Sequence, residues 1–288
     1  MPDLDTRVAI SADGTAIEYF SAGRGPDVIV IPGTLAMASD LTTFATLLAE
    51  RYTVHVMQRR GRGGSGPQGE KYGVERECED IEAIHGQTGA RLVFGHSYGG
   101  LTALQAARGS ASFDAIATYE PGVSVGGSIP VDWVDRARRE VSAGADFEAF
   151  ITFLGGVNPD VTGRIPRPLL RAMLRRTIPP AELRQKLTLM PEACNEYGEA
   201  GRLADKLADY HEVTAATLVM SGKGRATSKR ALAMARLAEA LPRCESMIFP
   251  KLEHVAPEKE PDQVADAVLR FFAAYAQAGT EVRSQTRA

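Results

Sequence analysis

The chain has 288 residues, 44% of them hydrophobic and 24% charged, which is enough apolar content to bury a large core and reads as globular and soluble. Its 33 basic and 36 acidic residues leave a net charge of -3, no electrostatic footprint for nucleic acid or an anionic membrane, and no run approaches the roughly 18 apolar residues of a membrane span. The opening MPDLDTR is polar and acidic where a signal peptide would be basic and then apolar, so a cytoplasmic location is expected. Cys78, Cys194 and Cys244 are scattered and odd in number, with neither a disulfide framework nor a zinc spacing, and no H-E-x-x-H pattern occurs. Structural thiols, no metal and no cofactor are the expectation.

Val8–Ile10 and Ala16–Phe20 alternate in polarity around Asp13-Gly14, which predicts an antiparallel hairpin. Asp27–Ile31, DVIVI, is wholly apolar after its first residue and is bounded by Pro26 and Pro32-Gly33, as suits a strand covered on both faces. Leu41, Phe44, Leu47 and Leu48 give the next helix its buried stripe, and Thr53–Met57 is the following strand. In Gln58–Gly66, QRRGRGGSG, Gly61, Gly63 and Gly66 match G-x-G-x-x-G, but Pro67 and Gly69 follow where a helix should open, so this is a loop whose arginines are solvated or tie loops together. Gly222-Lys223 is followed by Gly224, which excludes a Walker pattern. Val74–His85 is helical, Leu92–Phe94 is a buried strand, and Asp114–Tyr119 is another that ends at Glu120-Pro121-Gly122.

From about residue 123 to 212 the rhythm changes to helices without strands. Phe147, Phe150, Ile151 and Leu154 form one stripe, and Leu169, Leu170, Met173 and Leu174 a second. Strand character resumes at Thr217–Met220, a helix follows over Lys229–Leu241, and Ser246–Phe249 is the last strand. A closing helix carries Val264, Val268, Phe271, Phe272 and Tyr275, and residues 279–288 read as a frayed, flexible tail. Strands alternating with helices predict an α/β fold with a mostly parallel doubly wound sheet, whose sites lie at the carboxyl ends of the strands. The expected division is a core of residues 1–122 and 213–278 with a helical cap of residues 123–212.

The chemistry centres on Gly95-His96-Ser97-Tyr98-Gly99, where the Leu92–Phe94 run stops and a helical pattern of small residues begins. A serine on so sharp a strand-to-helix turn is held in a strained backbone conformation, and only glycine two residues to either side lets neighbouring backbone pass. His254 follows the last strand, so its loop reaches the same rim as Ser97 and makes it the candidate base, whereas His96 points away from the serine hydroxyl. The Tyr98 N–H at a helix N-terminus and the Thr34 N–H in the Pro32-Gly33-Thr34 turn are the candidate oxyanion donors.

This order of parts, G-H-S-Y-G, a helical cap, then a histidine in a final loop, resembles the α/β-hydrolase superfamily over roughly residues 5–277. The resemblance implies the α/β-hydrolase fold with Ser97 as nucleophile, His254 as base, and Tyr98 and Thr34 forming the oxyanion hole. The chain departs from the pattern twice. Pro32-Gly33 stands where the family often has His-Gly, and the usual acid after the penultimate strand is missing from Gly222-Lys223-Gly224-Arg225, with no Asp or Glu from 213 to 238. Glu120 is the expected replacement, since it ends the strand after the nucleophile, where haloalkane dehalogenases and some lactone hydrolases place their acid. Pro121 biases Glu120 to an extended backbone, and Glu253 is the weaker candidate because adjacent residues rarely point at one another.

The expected activity is that of a serine hydrolase, cleaving a carboxylic ester or lactone with an apolar or aromatic acyl part through an acyl-enzyme. Trp133, Phe150, Phe153, Leu154, Met173 and Met190 are the candidate substrate-binding surface of the cap, which predicts medium-sized apolar or aromatic groups over acetyl. Three alternatives share the fold: a thioesterase, for which Arg164, Arg167, Arg171 and Arg175 could steer an acidic carrier, a carbon–carbon bond hydrolase, and a non-catalytic ligand-binding protein. A small-molecule substrate is the expected partner, with a homodimer left open.

Overall fold

The computed structural model describes residues 5–224 and 227–276; the tail expected at 279–288 and Arg225 lie outside them. A single eight-stranded sheet runs β1 (Asp5–Ile10), β2 (Ala16–Gly23), β4 (Thr53–Met57), β3 (Asp27–Ile31), β5 (Leu92–His96), β6 (Ala115–Tyr119), β7 (Ala216–Ser221), β8 (Cys244–Ile248), in that spatial order. β1 and β2 form the antiparallel hairpin and β2 pairs antiparallel with β4; all later pairings are parallel. The apolar runs become strands because both faces are covered. On one side α2 (Val74–Thr88), α3 (Tyr98–Ala106) and α9 (Lys229–Ala240) enclose a core that includes Ile29, Val93 and Ile116. On the other, α1 (Thr42–Ala49) and α11 (Asp262–Ala276) cover Val28, Val30 and Phe94. β8 at the edge is largely exposed, which is why its limits were the least legible.

After β3 the chain crosses α1 to β4 on one side, then returns through α2 to β5 on the other. The carboxyl ends of β3 and β5 therefore flank the point where the strand order reverses, the place where open sheets of this kind form a crevice. Between β6 and β7 lie α4 (Val134–Ser142), α5 (Asp146–Val157), α6 (Arg167–Thr177), α7 (Pro180–Thr188) and α8 (Met190–Arg202). They share an apolar cluster of their own, built on Trp133, Phe150, Phe153, Leu183 and Met190.

The arginines of the Gly-rich loop after β4 are not solvated; they tie the loop to its neighbours. Arg59, Arg60 and Arg62 are 0%, 1% and 2% exposed. Arg59 makes paired hydrogen bonds of 2.6 Å to Glu77 of α2 and approaches Glu196 of α8, to which Arg62 also donates at 2.6 Å. Arg60 binds Asp80 through two bonds and reaches Asp13 of the hairpin turn at 3.0 Å. The glycines are used as turns here, with φ of +80° at Gly61 and +52° at Gly63.

Across β2, β4 and β3, Ser21 Oγ lies 2.8 Å from His55 Nδ1, and His55 Nε2 lies 3.0 Å from Asp27 Oδ1. This serine–histidine–aspartate relay sits within the sheet, with Ser21 and His55 both buried.

Candidate active site

Ser97 occupies the single residue between β5 and α3 with φ +53° and ψ -120°. The elbow is held by the Ser97 N–H donating to the Tyr119 carbonyl at 3.0 Å, and by the Gly122 and Leu101 N–H groups donating to the Ser97 carbonyl. The flanking glycines are required by close approach. A Cβ on Gly95 would lie 2.5 Å from the Gly99 oxygen, and one on Gly99 would lie 2.4 Å from the Ile31 oxygen.

His254 is carried by the loop between β8 and α10 (Ala256–Lys259), and its backbone is fixed from the sheet. His96 Nε2 donates to the His254 carbonyl at 2.8 Å, and the Tyr119 hydroxyl donates to the Glu253 carbonyl at 2.9 Å. His96 thus points away from the Ser97 hydroxyl and anchors the histidine loop instead. His254 Nε2 stands 3.2 Å from Ser97 Oγ, and its Nδ1 stands 2.5 Å from Glu120 Oε2.

Glu120 also accepts from the Gly222 N–H at 3.0 Å on Oε1 and from Arg230 Nη1 at 2.9 Å on Oε2. The end of β7, where the superfamily pattern has its acid, contributes this N–H in place of a carboxylate. Burial acts to raise the Glu120 pKa, but the hydrogen bond and charge of His254, the Arg230 guanidinium and the Gly222 N–H together bring it down to about 2. His254 moves below its usual value, because burial and the neighbouring His96 and Arg230 outweigh the support from Glu120. Glu253 turns outward to Lys223 at 3.1 Å.

One expectation about Glu120 is corrected. Its backbone is not extended: φ is +43°, despite Pro121. The chain must keep the Glu120 N–H on the Met220 carbonyl and two residues later deliver the Gly122 N–H to the Ser97 carbonyl, and these ties override the local preference. Of the four non-glycine residues with positive φ among the described residues, Ser97 and Glu120 belong to this site and Leu35 and Asp205 are the others. Such strain persists only where the surroundings over-determine it.

Tyr98 is the first residue of α3, so its N–H has no partner inside the helix. Its side chain is turned away, with its hydroxyl 3.0 Å from that of Tyr72 and its ring under the Arg59 guanidinium at 4.7 Å. The Thr34 turn lies beside the serine: a Cβ on Gly33 would stand 3.0 Å from the Ser97 Cβ, and Arg59 Nη1 holds the Gly33 carbonyl at 3.1 Å. The arrangement can deprotonate a serine hydroxyl, with His254 within reach of Ser97 on one side and of Glu120 on the other.

A cavity of about 50 Å³ opens over Ser97 and His254. Its apolar wall is Pro121, Val123, Ile129, Pro130, Val157 and Met234; Ser128, Tyr197 and Arg230 supply polar groups. Here the expected substrate-binding set is corrected. Trp133, Phe150 and Met190 are buried in the insertion's own core, Leu154 packs against that core, and Met173 is 44% exposed on the outer surface. The helical stripes were legible, but which neighbour each stripe meets was not. This volume lies far below the ~300–1,000 Å³ usual for ligand sites, so the enclosed part of the site is small. In the basic row of the insertion, Arg167 and Arg171 pair with Glu148, Arg175 lies over the Phe147 ring, and Arg164 makes an exposed pair with Asp160.

Sequence reasoning missed Val157, Tyr197, Arg230 and Met234. Arg230 carried a signal, since a cation in the first turn of a helix opposes the helix dipole.

The model of the alpha/beta hydrolase family matches residues 28–267. The chain belongs to that family. It is 23% identical over 259 residues to a 2-(acetamidomethylene)succinate hydrolase from Mesorhizobium japonicum (strain LMG 29417 / CECT 9101 / MAFF 303099), with 87% of this chain and 89% of the relative covered. Among solved structures it is similar to an alpha/beta hydrolase from Sphaerobacter thermophilus DSM 20745, at 28% identity and TM-score 0.78 over 92% of this chain and 100% of that one. A meta-cleavage product hydrolase from Pseudomonas fluorescens IP01 shares the fold at 18% identity and TM-score 0.63, over 93% of this chain and 98% of that one. No helix among the described residues is long and apolar enough to cross a membrane.

Proposed function

We propose that this alpha/beta hydrolase cleaves a small carboxylic ester or lactone through an acyl-enzyme on Ser97. The observation that carries the reading is the unbroken hydrogen-bonded line from Ser97 Oγ through His254 to Glu120 on the floor of a cavity. Glu120 accepts from Nδ1, which leaves Nε2 with its lone pair toward the serine. His254 takes the serine proton as Oγ attacks the acyl carbon, and the Tyr98 and Thr34 N–H groups receive the oxyanion; each such donor contributes about 3 kcal/mol to lowering the barrier. The imidazolium then protonates the departing alcohol oxygen, and a water activated by the same histidine returns the acid and the free serine.

A second reading, hydrolysis of an acyl–nitrogen bond, is favoured by the similarity to the 2-(acetamidomethylene)succinate hydrolase. The two are separated by a panel of activated esters, lactones and N-acyl compounds of graded acyl length. Acetyl and propionyl esters are expected to turn over faster than benzoyl or octanoyl esters. A fluorophosphonate probe should add one adduct to intact wild-type protein and none to Ser97→Ala. An unlabelled Ser97 in folded protein would instead favour a ligand-binding role.

A further inference from the structure

Arg230 is, among the described residues, the one lysine or arginine in the wall of the cavity over Ser97. It is the second residue of α9, and Met234, one turn later on the same helix face, supplies part of the apolar wall. Nη1 donates to Glu120; the other guanidinium nitrogens donate to no protein group among the described residues, and 49% of the side chain is exposed at the mouth. Glu120 has no need of this donor to be satisfied. Its Oε1 already takes the Gly222 N–H, and Oε2 is shared between Arg230 and the imidazole it must orient.

The position is also unfavourable for the helix. The first turn of α9 holds Lys229 and Arg230 and no acidic residue, the reverse of what the dipole at a helix N-terminus stabilises. Such a local conflict is expected where a charge serves a site. A short apolar pocket with one partly unengaged guanidinium at its mouth complements a short acyl chain that ends in an anion, because the planar fork can hold a carboxylate through two parallel N–H bonds.

We propose that Arg230 is a specificity-determining residue that receives a carboxylate of the substrate, so that short acyl groups bearing a second, ionised acid are preferred over uncharged ones. This rests on the reading of Ser97 as the hydrolytic nucleophile. The test compares 4-nitrophenyl esters of succinic acid and of 4-methylpentanoic acid, an anionic acyl group and its uncharged isostere. Wild-type protein should favour the succinyl ester by at least about tenfold in kcat/KM. Arg230→Gln should erase that ratio, mainly through KM of the succinyl ester, and Arg230→Lys should keep part of it. Because both substitutions touch Glu120, turnover of both esters falls, and the ratio is the quantity that reads the proposal.

Succinate binding to Ser97→Ala, measured by calorimetry with and without Arg230→Gln, gives a readout that needs no turnover, and a loss of about tenfold or more is expected. A ratio near one in wild type, or succinate bound equally by both proteins or by neither, overturns the role of Arg230. Absence of cleavage and of fluorophosphonate labelling, with succinate binding still dependent on Arg230, overturns the hydrolase reading instead.

Discussion

Glu120 was expected from the resemblance, because the superfamily's usual acid position is empty here and some members place the acid at the end of the strand after the nucleophile; the structure puts its carboxylate on His254 Nδ1. The structure adds why it can act there: the elbow and the acid are tied together through the Gly122 N–H on the Ser97 carbonyl, so their geometry is set by the same backbone. Glu120→Gln should lower kcat by about a thousandfold or more and should also cost stability near neutral pH, because the folded state holds this carboxylate at a lowered pKa, whereas Glu253→Gln, which removes only the exposed pair with Lys223, should change kcat less than twofold or so. Steady-state kinetics of the two variants checks this, and a large loss in Glu253→Gln would move the acid. The pH profile supplies a second check. His254 must be neutral to accept a proton and its pKa lies below the usual 6.5, so the acidic limb of kcat/KM should fall below that value. Glu120 raises the histidine's pKa, so the residual activity of Glu120→Gln should carry a limb lower still; Arg230 lowers it, so Arg230→Gln should shift the limb upward. Ser97 was legible because two glycines and a strand end constrain it locally. The backbone of Glu120 was not, because the Pro121 rule is local and the hydrogen bonds that override it come from β5 and β7. The Ser21–His55–Asp27 relay makes the complementary point: it has the three residue types and the distances, but lies buried inside a sheet, away from the cavity.

At the scale of elements, strands covered on both faces announced themselves, and β3 and β4 begin and end where the apolar runs do. The glycines of the strand–turn–helix unit were equally readable, and their roles separate by sign. Gly99→Ala should destabilise by about 3 kcal/mol or more, since its Cβ would meet the backbone oxygens of Ile31 and Pro32 at 2.4 and 2.5 Å and backbone cannot repack as a side chain can. Gly86→Ala, inside α2 with nothing within 4 Å of the added carbon, should stabilise by up to about 1 kcal/mol. Chemical denaturation of the two variants gives both values, and equal effects would contradict the packing account. The loop after β4 was only half legible. Its charges suggested ties between loops, but the partners Glu77 and Asp80 come from α2 and Glu196 from the distant α8, and no local pattern distinguishes a buried arginine from a solvated one.

For the whole molecule, the sheet order places the site, and Val157 of α5, Tyr197 of α8 and the segment around Ile129 and Pro130 wall the cavity above it. α8 is bound to the rest of the chain through Glu196, which is shared between the guanidinium groups of Arg59 and Arg62 where all three side chains are 0% exposed. Glu196→Gln would leave Arg59 and Arg62 short of charge in the interior, at a cost of about 3–5 kcal/mol, measurable by urea titration. A loss below about 1 kcal/mol would mean that water reaches the pair.

That buried junction bears on cooperativity. The two charges of Arg59 and Arg62 are balanced only when α2 and α8, which carry Glu77 and Glu196, have both docked, so neither the sheet nor the insertion reaches its final energy alone. Trp133, the single tryptophan, lies in the apolar cluster of the insertion and reports on that part of the chain, while circular dichroism averages over all helices and strands. The two signals should melt together in the wild-type protein, as one two-state transition. In Glu196→Gln they should part, with the fluorescence change coming first.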